Sequence, residues 1–534
     1  MAKRLIAVFL ALMLAFSMSS CAYRDKNGET DEGYGTSNTE KNETPVNGGI
    51  LNLCIFEVDS LNPLSTKNES NLDVLRLMFD GLFNVNQDFS VTNNLCESYT
   101  ISEDGLSYSF KIKDGIAFHD GAPLTAEDVD ASFKLIEEAQ SPYRTRFDNV
   151  ESSHASSMTW HVTLKTPVIN FPALLDFPIL PAADAHTGND ITKIDYIPNG
   201  TGIYRAIQYK ETKELILKAT YNHFSGKYPH IPEIRITFAG DRDSAISMFE
   251  NLHADVICES VANPDEYSPK RDLIKSITYP KNKLTFLGIN NQKPILISPL
   301  VRQAISMCID KNTIVNNTKT RIATPTDIPI NPRFCYYNKD IVPIPFDTAR
   351  ANLLLSQDGF ADTDSDGSME KHIYGEVHRL KVDILVNSEN NQRIKIAETI
   401  KSALEKAGFA VTITIVDFNT YTSRIASRNY DLFVGSMNIS QNNDLSFMLQ
   451  TDVNMFGISN EGIDSKLNQL KVVSNPSVIS DSYRNLSALL SENIPIAGIY
   501  YDNGILLCDK KIRGNINPAE SNVFLNICEW YIKE

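Results

Sequence analysis

Between Leu380 and Val416 the apolar positions change period twice. Leu380, Val382, Ile384 and Val386 recur at every second residue, the spacing of a strand with a buried face. Ile396, Ile400 and Leu404 then recur at helical spacing, and Gly408 follows as a suitable C-cap. Val411, Ile413 and Ile415 return to alternation. Strand, helix and strand joined this closely predict a right-handed parallel crossover in an α/β lobe. Asp431 to Gly435 (DLFVG) predicts a further buried strand.

A second pattern runs from Glu97 to Phe133. Tyr108, Phe110 and Ile112 alternate with Ser109 and Lys111, which buries one face of a sheet. His119-Asp120-Gly121, with Pro123 beyond, is turn chemistry. Thr125 stands where an N-cap belongs, with Asp128 at the third helical position and Val129, Phe133 and Ile136 on one helical face. Elsewhere, Gly48 to Leu53, Met158 to Leu164, Ala254 to Ile257 and Leu284 to Asn291 predict strands. Helices are expected over Leu75 to Phe83, Ser244 to Phe249 and Leu300 to Val315, the last with Val301, Ala304, Ile305, Cys308 and Ile309 on one face. There is no internal repeat.

A chain of 534 residues is too long for one ordinary core and predicts two or more lobes. Its 42% hydrophobic content excludes a mainly disordered protein. With 50 basic and 66 acidic residues the net charge is −16, which argues against nucleic acid as partner. The longest apolar run, Leu5 to Phe16, is shorter than the roughly 20 residues of a spanning helix. It follows Lys3 and Arg4 and precedes small residues ending at Cys21, the layout of a secretory signal. The placing of Cys21 resembles a bacterial lipobox, which implies a lipidated N-terminus at that residue. Arg24 to Val46 holds almost nothing apolar and is expected to be a flexible tether. Seven other cysteines remain, an odd number without any CxxC, so neither a full disulfide set nor structural zinc is expected.

The order of motifs closely resembles family 5 of the extracellular solute-binding proteins, the dipeptide, oligopeptide and nickel receptors of ABC importers. The resemblance rests on Phe56 to Pro63, Glu97 to Phe133, the Gly-Thr-Gly-x-Tyr turn at 200–204, whose glycines are expected to serve positive φ at an interdomain crossing, the strand and VRQA helix at 284–315, and IPIAGIYYDN at 494–503. It implies an α/β, two-lobe, three-domain fold of the periplasmic-binding-protein type II, with a discontinuous first domain. The implied division is a signal peptide at 1–20, and lipid anchor and tether at 21–46. Domain I is 47–78 with 200–282 and 497–534, domain II is 79–199, and domain III is 283–496. The implied role is capture of a peptide in an interlobe cleft by hinge closure and delivery to a permease. The chain is expected to be a monomer on the extracytoplasmic face of the membrane, working with ABC permease and ATPase subunits and without a cofactor.

Ligand contacts are implied at particular positions. The segment Glu57, Val58, Asp59 and Ser60 matches one that gives backbone bonds to an extended peptide, a mode that does not depend on the peptide's sequence. Ser141-Pro142-Tyr143 resembles a pocket motif, with Tyr143 as candidate and Arg144 or Arg146 able to meet a carboxylate. A diagnostic Gly-Trp-x-x-Asp run is altered to Gly435-Ser436-Met437-Asn438-Ile439, so the residue that commonly pairs with a peptide amine is missing. Asn438, Asn442 and Asp444 are the nearby substitutes, and Gly435, Met437 and Ile439 line the same run. Phe418 is either a pocket roof or a core residue, and Tyr500 or Tyr501 is expected to face the cleft. This departure leaves the ligand class open among peptides, a nickel chelate, haem or an oligosaccharide. A surface peptide sensor remains the rival role.

Asp362-Thr363-Asp364-Ser365-Asp366-Gly367 carries the first half of a calcium loop. The twelfth position is Ile373, where an EF-hand needs Glu, so that match fails. Glu370 or Glu376 in a shorter loop, or a plain acidic turn, are the remaining readings. No GxSxG, HExxH, Walker loop or GxGxxG is present, and an enzyme is not expected.

Overall fold

The computed structural model describes residues 44–533, apart from 57, 139–140, 188–196, 263–272, 319–322 and 374. The signal segment, Cys21, most of the tether and Glu57 lie outside the described residues. Among the described residues no helix is long and apolar enough to cross a membrane.

One large mixed sheet organises the chain. Its strands are β1 (Ile50–Phe56), β2 (Tyr204–Lys210), β3 (Glu214–Ala219), β4 (Glu233–Ala239), β5 (Val256–Cys258), β6 (Ile274–Ile289), β7 (Lys381–Asn387), β8 (Ala410–Val416), β9 (Leu432–Asn438) and β10 (Ile496–Asp509). They lie in the order β8-β7-β9-β6-β10-β5-β1-β4-β3-β2, and Ala323–Pro325 adds an eleventh strand on β10. β7 is parallel to β8 and β9, while β1 is parallel to β4 and β5. The helix Asn391–Ala407 connects β7 to β8 and ends on Gly408 in the left-handed region at φ 105°, as its sequence predicts. β10 is buried along nearly its whole length, which is why it reads as a continuous apolar run rather than an alternating one.

Among the described residues, the two halves of this sheet are joined through β6 and β10. Residues 284–288 of β6 pair with 496–501, and residues 274–280 pair with 503–509. Between these stretches, at Pro280 to Leu284, the register is irregular. A long strand with a break in its ladder bends more readily than a regular one.

A separate antiparallel sheet takes Cys96–Ile101, Ser107–Ile112, Thr159–Leu164 and Val150–Ser156 in that spatial order. Tyr108, Phe110 and Ile112 point into the core, as their alternation requires. Phe110, Phe133, Phe147, Trp160, Phe171 and Phe177 pack there as an aromatic cluster. The helix Ala126–Glu138 begins just after Thr125. Thr125 spends its hydroxyl proton on Asp128 Oδ2 (2.9 Å) and its backbone N–H on the same oxygen (2.7 Å), so the carboxylate does the capping.

Three expectations need correction. The helix expected over Leu75 to Phe83 lies earlier, at Glu69–Leu75, because Asn68 accepts from Ser70 N and sets its start. The helix expected from Leu300 to Val315 is two, Pro299–Met307 and Lys311–Thr318. Asp310 accepts from Thr313 N at 3.0 Å and starts the second, so the apolar face is continuous where the backbone is not. Gly200 and Gly202 are needed for close approach, not for positive φ. A Cβ at Gly200 would stand 2.0 Å from Met78 O, and one at Gly202 2.4 Å from Met78 C. There Gly202 N donates to Met78 O (2.9 Å) and Tyr204 N to Leu77 O (3.0 Å). His119 is clasped in the same crossing, accepting from Gly200 N at 3.3 Å while Nε2 donates to Gly202 O at 2.8 Å. Burial holds its imidazole below the usual pKa, so the ring is a neutral buttress between two loops.

The described cysteines are all free thiols, and all but Cys335 are buried.

Candidate functional site

In open α/β sheets, ligands bind beyond the carboxyl ends of parallel strands. Here β1 and β5 end side by side, and the chain leaving each carries ionisable groups. The loop after β1 is wound round Asp59, whose carboxylate accepts from Lys67 N (2.8 Å), Thr66 Oγ1 (2.5 Å) and Asn71 Nδ2 (3.2 Å). Burial opposes ionisation, but these donors hold the carboxyl below the usual range. Asp73 stands on the helix that follows, with Arg76 just past its end.

Past β5, Ser260 Oγ donates to Asp73 Oδ2 at 3.0 Å. Burial lifts the Asp73 carboxyl to about 7; the Ser260 bond pulls it down, and the neighbouring Glu69 charge pushes it up. Glu259 Oε1 pairs with Lys281 Nζ at 3.3 Å, and Tyr279 OH donates to Glu259 Oε2 at 3.4 Å. Glu520, from the C-terminal segment, accepts from Asn282 N at 2.9 Å, and burial raises its carboxyl. Burial works against the Lys281 charge, yet Glu259 and Glu520 outweigh it and hold the ammonium above its usual value. Lys281 and Asn282 fall in the irregular stretch of β6.

Opposite these groups stands the antiparallel-sheet domain. Arg146 Nη1 and Arg76 Nη2 bracket Asp176 at 2.7 and 3.2 Å, and the aspartate side chain is only 3% exposed. Arg76 Nη2 also donates to Tyr143 OH at 3.3 Å, while the Arg146 guanidinium lies 4.8 Å from the centre of the Tyr143 ring. The segment after β9 closes the third side. Gln441 donates to Asp176 Oδ2 (3.2 Å) and Ala173 O (3.3 Å) in the amide orientation that satisfies both ends. Asn442 Nδ2 donates to Ile169 O at 2.8 Å, and Asn282 Nδ2 to Ser440 O at 3.2 Å.

Three parts of the chain thus meet in one charge-lined seam. Five carboxylates (Glu69, Asp73, Asp176, Glu259, Glu520) face three cations (Arg76, Arg146, Lys281). Asp73, Arg76, Arg146, Glu259, Lys281 and Glu520 each keep part of their surface, so solvent reaches the seam. Two carboxyls raised by burial, Asp73 and Glu520, beside specific charge partners make the seam the candidate binding site.

Of the residues singled out in the sequence, Tyr143 and Arg146 enter this seam directly. Val58 packs against the core beside it. Ser60 is turned inward, with its hydroxyl accepting from Asn62 N at 3.1 Å. Gly435 lies in β9 between the Phe286 and Phe433 rings, where a Cβ would come within 2.8 Å of each. Met437 pairs with Leu284 and Asn438 with Lys283 across β6, and Asn438 is exposed. Ile439 is buried and donates its N–H to Asn282 O at 2.8 Å. Asn442 reaches across to Ile169 O at the edge of the seam, whereas Asp444 is engaged locally, accepting from Ser446 N at 2.8 Å. Phe418 is 53% exposed and stacks on Tyr421 away from the seam. Tyr500 and Tyr501 are both fully buried in the sheet. Asp73, Arg76, Asp176, Glu259, Lys281, Gln441 and Glu520 were missed by sequence reasoning. Asp73, near the end of a helix behind a Leu-Asn-Pro segment, and Arg76 at that helix's C-cap offered a signal; Glu520 offered none.

The family model of bacterial extracellular solute-binding proteins, family 5 Middle, matches residues 90–455. The oligopeptide-binding protein AppA of Bacillus subtilis is 23% identical over 554 aligned residues, covering 99% of this chain and 98% of that one. The glutathione-binding protein GsiB of Pectobacterium atrosepticum is 27% identical over 309 residues, 56% of this chain and 59% of the relative. Among solved structures, the unliganded open form of the periplasmic murein tripeptide-binding protein MppA superposes with a TM-score of 0.78 at 18% identity, over 92% of this chain and 98% of that one. The chain belongs to family 5 of the bacterial extracellular solute-binding proteins, transport components that work with ABC permease and ATPase subunits on the outer side of the membrane.

Proposed function

We propose that this family 5 protein is the receptor of an ABC importer for peptides, which it takes up in the charged seam and delivers to the permease. The observation that carries the reading is the seam itself, where acidic groups of the first domain face the Arg76–Asp176–Arg146 cluster. A peptide is zwitterionic, and a seam that carries both acidic and basic groups suits both its ends. In this reading Asp73 receives the amine and Arg146 the carboxylate, with Glu259, Lys281 and Glu520 as the paired groups between them. The segment Val58 to Ser60 borders the peptide backbone, and Gly435 to Ile439 shapes the facing wall. The names of the relatives and of the solved structure, which bind an oligopeptide, glutathione and a murein tripeptide, favour peptides over the other ligand classes.

The lobes we propose are 47–282 with 497–534, and 283–496. They turn about the two crossings of β6 and β10, near Pro280 to Leu284 and Tyr501 to Asn503. Ligand stabilises the closed arrangement because only there does it touch the charged groups of the first lobe and the segment after β9 of the second together. Cys21 carries the lipid that holds the monomer at the membrane surface. Thermal-shift screening with di- to octapeptides and glutathione tests the ligand, since a bound ligand raises the melting temperature by mass action. A screen in which no peptide shifts the transition, or small-angle scattering without compaction by a peptide that does bind, overturns the reading. Mass spectrometry that finds an unacylated Cys21 removes the anchor.

A further inference from the structure

We propose that the loop from Asp362 to Glu370, on the lobe that carries β7 to β9, is a calcium site. Carboxylate oxygens of Asp362, Asp364 and Glu370 all lie within 4.8 Å of one another, a cluster of the size one oxygen-ligated cation spans. Glu370 stands at the ninth position of the run, where the side chain turns back toward the loop from the start of the strand Glu370–Ile373. Two backbone bonds tie the ends of the loop together, Ala361 N to Glu370 O (3.0 Å) and Glu370 N to Ala361 O (2.9 Å). Inside, Asp366 N and Gly367 N both donate to the Asp362 carboxylate at 3.1 Å. Gly367 has φ 89°, which lets the chain turn there.

An acidic turn would be built this way without any ion. Glu370 is the difference. Its side chain is only 7% exposed, and although Oε1 accepts from Thr363 N at 2.8 Å, Oε2 has no hydrogen-bond partner. A buried carboxylate oxygen without a donor is costly, and a cation beside Asp362 and Asp364 removes the cost. A cavity of about 240 Å³, lined in part by Thr363, Asp364 and Glu370, adjoins it.

The local charge points the same way. Asp362, Asp364, Asp366 and Glu370 face Arg379, which pairs with Asp364 and Asp366 from the neighbouring strand. Lys371 is turned away to Asp358 at 2.9 Å. Arg379 is half exposed and so able to yield its oxygens to an ion. All-oxygen ligands on an irregular loop suit calcium better than magnesium, which demands a near-ideal octahedron and sheds water reluctantly.

The test uses the whole mature chain, stripped with chelator and titrated with calcium chloride by calorimetry, alongside melting curves. One ion per chain is expected, with magnesium weaker by about tenfold or more. Glu370→Gln lowers calcium affinity by about tenfold or more, and Arg379→Gln raises it by removing a competing cation. Without calcium, Glu370→Gln melts above the wild type because a buried charge is gone; with saturating calcium it melts below. No calcium heat in the wild type overturns the proposal. So does affinity unchanged by both Glu370→Gln and Asp364→Asn, or a Glu370→Gln variant that melts lower under both conditions.

Discussion

Replacing Asp73 by asparagine tests whether burial governs the seam. Asn keeps the shape and can still accept from Ser260 Oγ, so the change removes charge and little else. The folded carboxyl titrates at about 7, against an ordinary value near 4 in the unfolded chain. The folded state therefore holds its proton more tightly, and stability falls as pH rises from about 4 to about 7 and stays low above that. The full interval corresponds to ~4 kcal/mol. Asp73 keeps part of its surface in water, and we take ~2 kcal/mol as surviving that screening. Asp73→Asn is thus expected to be more stable than the wild type at pH 8 by ~2 kcal/mol, with the gap closing toward pH 4. Urea unfolding followed by circular dichroism at pH 8, 6 and 4.5 measures this directly. An equal gap at all three pH values, or a variant less stable at pH 8, refutes the reasoning. The latter would mean that Arg76 and Lys281 hold the charge more strongly than burial opposes it.

The same carboxyl makes binding pH-dependent: a peptide whose ammonium meets Asp73 displaces about half a proton at pH 7, measurable by calorimetry in buffers of different ionisation heat. Arg76→Met leaves the buried Asp176 with Arg146 as its only guanidinium and takes the donor from Tyr143 OH. A loss of ~3 kcal/mol is expected in denaturant melts. Gly202→Ala forces a methyl against the Met78 carbonyl carbon at 2.4 Å. It should cost ~3 kcal/mol or more, and a melting temperature within a degree or so of wild type would show that the crossing can part. Asp128→Ala strips acceptors from Thr125 N, Thr125 Oγ1 and Ala182 N at 2.7–2.9 Å. A destabilisation of ~2–3 kcal/mol by the same assay follows from three charge-assisted bonds.

Sequence by itself determined the local elements and the family. Alternation at Tyr108 to Ile112 and at Leu380 to Val386, and the Gly408 cap, are statements about one short stretch of chain, and a few residues suffice to write them. Even the errors were local in kind: an apolar face runs smoothly from Val301 to Ile314 although Asp310 restarts the helix, because periodicity records burial and not backbone continuity. Gly200 and Gly202 were recognisable as special, but only their contact with Met78 says why. Tertiary structure decided the seam. Ser260 meets Asp73 across 187 positions and Glu520 meets Asn282 across 238, and neither pairing leaves a mark on the residues between. A motif can nominate Tyr143 or Glu370, since each sits in a recognisable run. Whether a carboxyl is left without a donor, or lifted to about 7, depends on which distant groups fold against it. Desolvation and pairing are properties of a place in space, and the order of residues along the chain does not carry them.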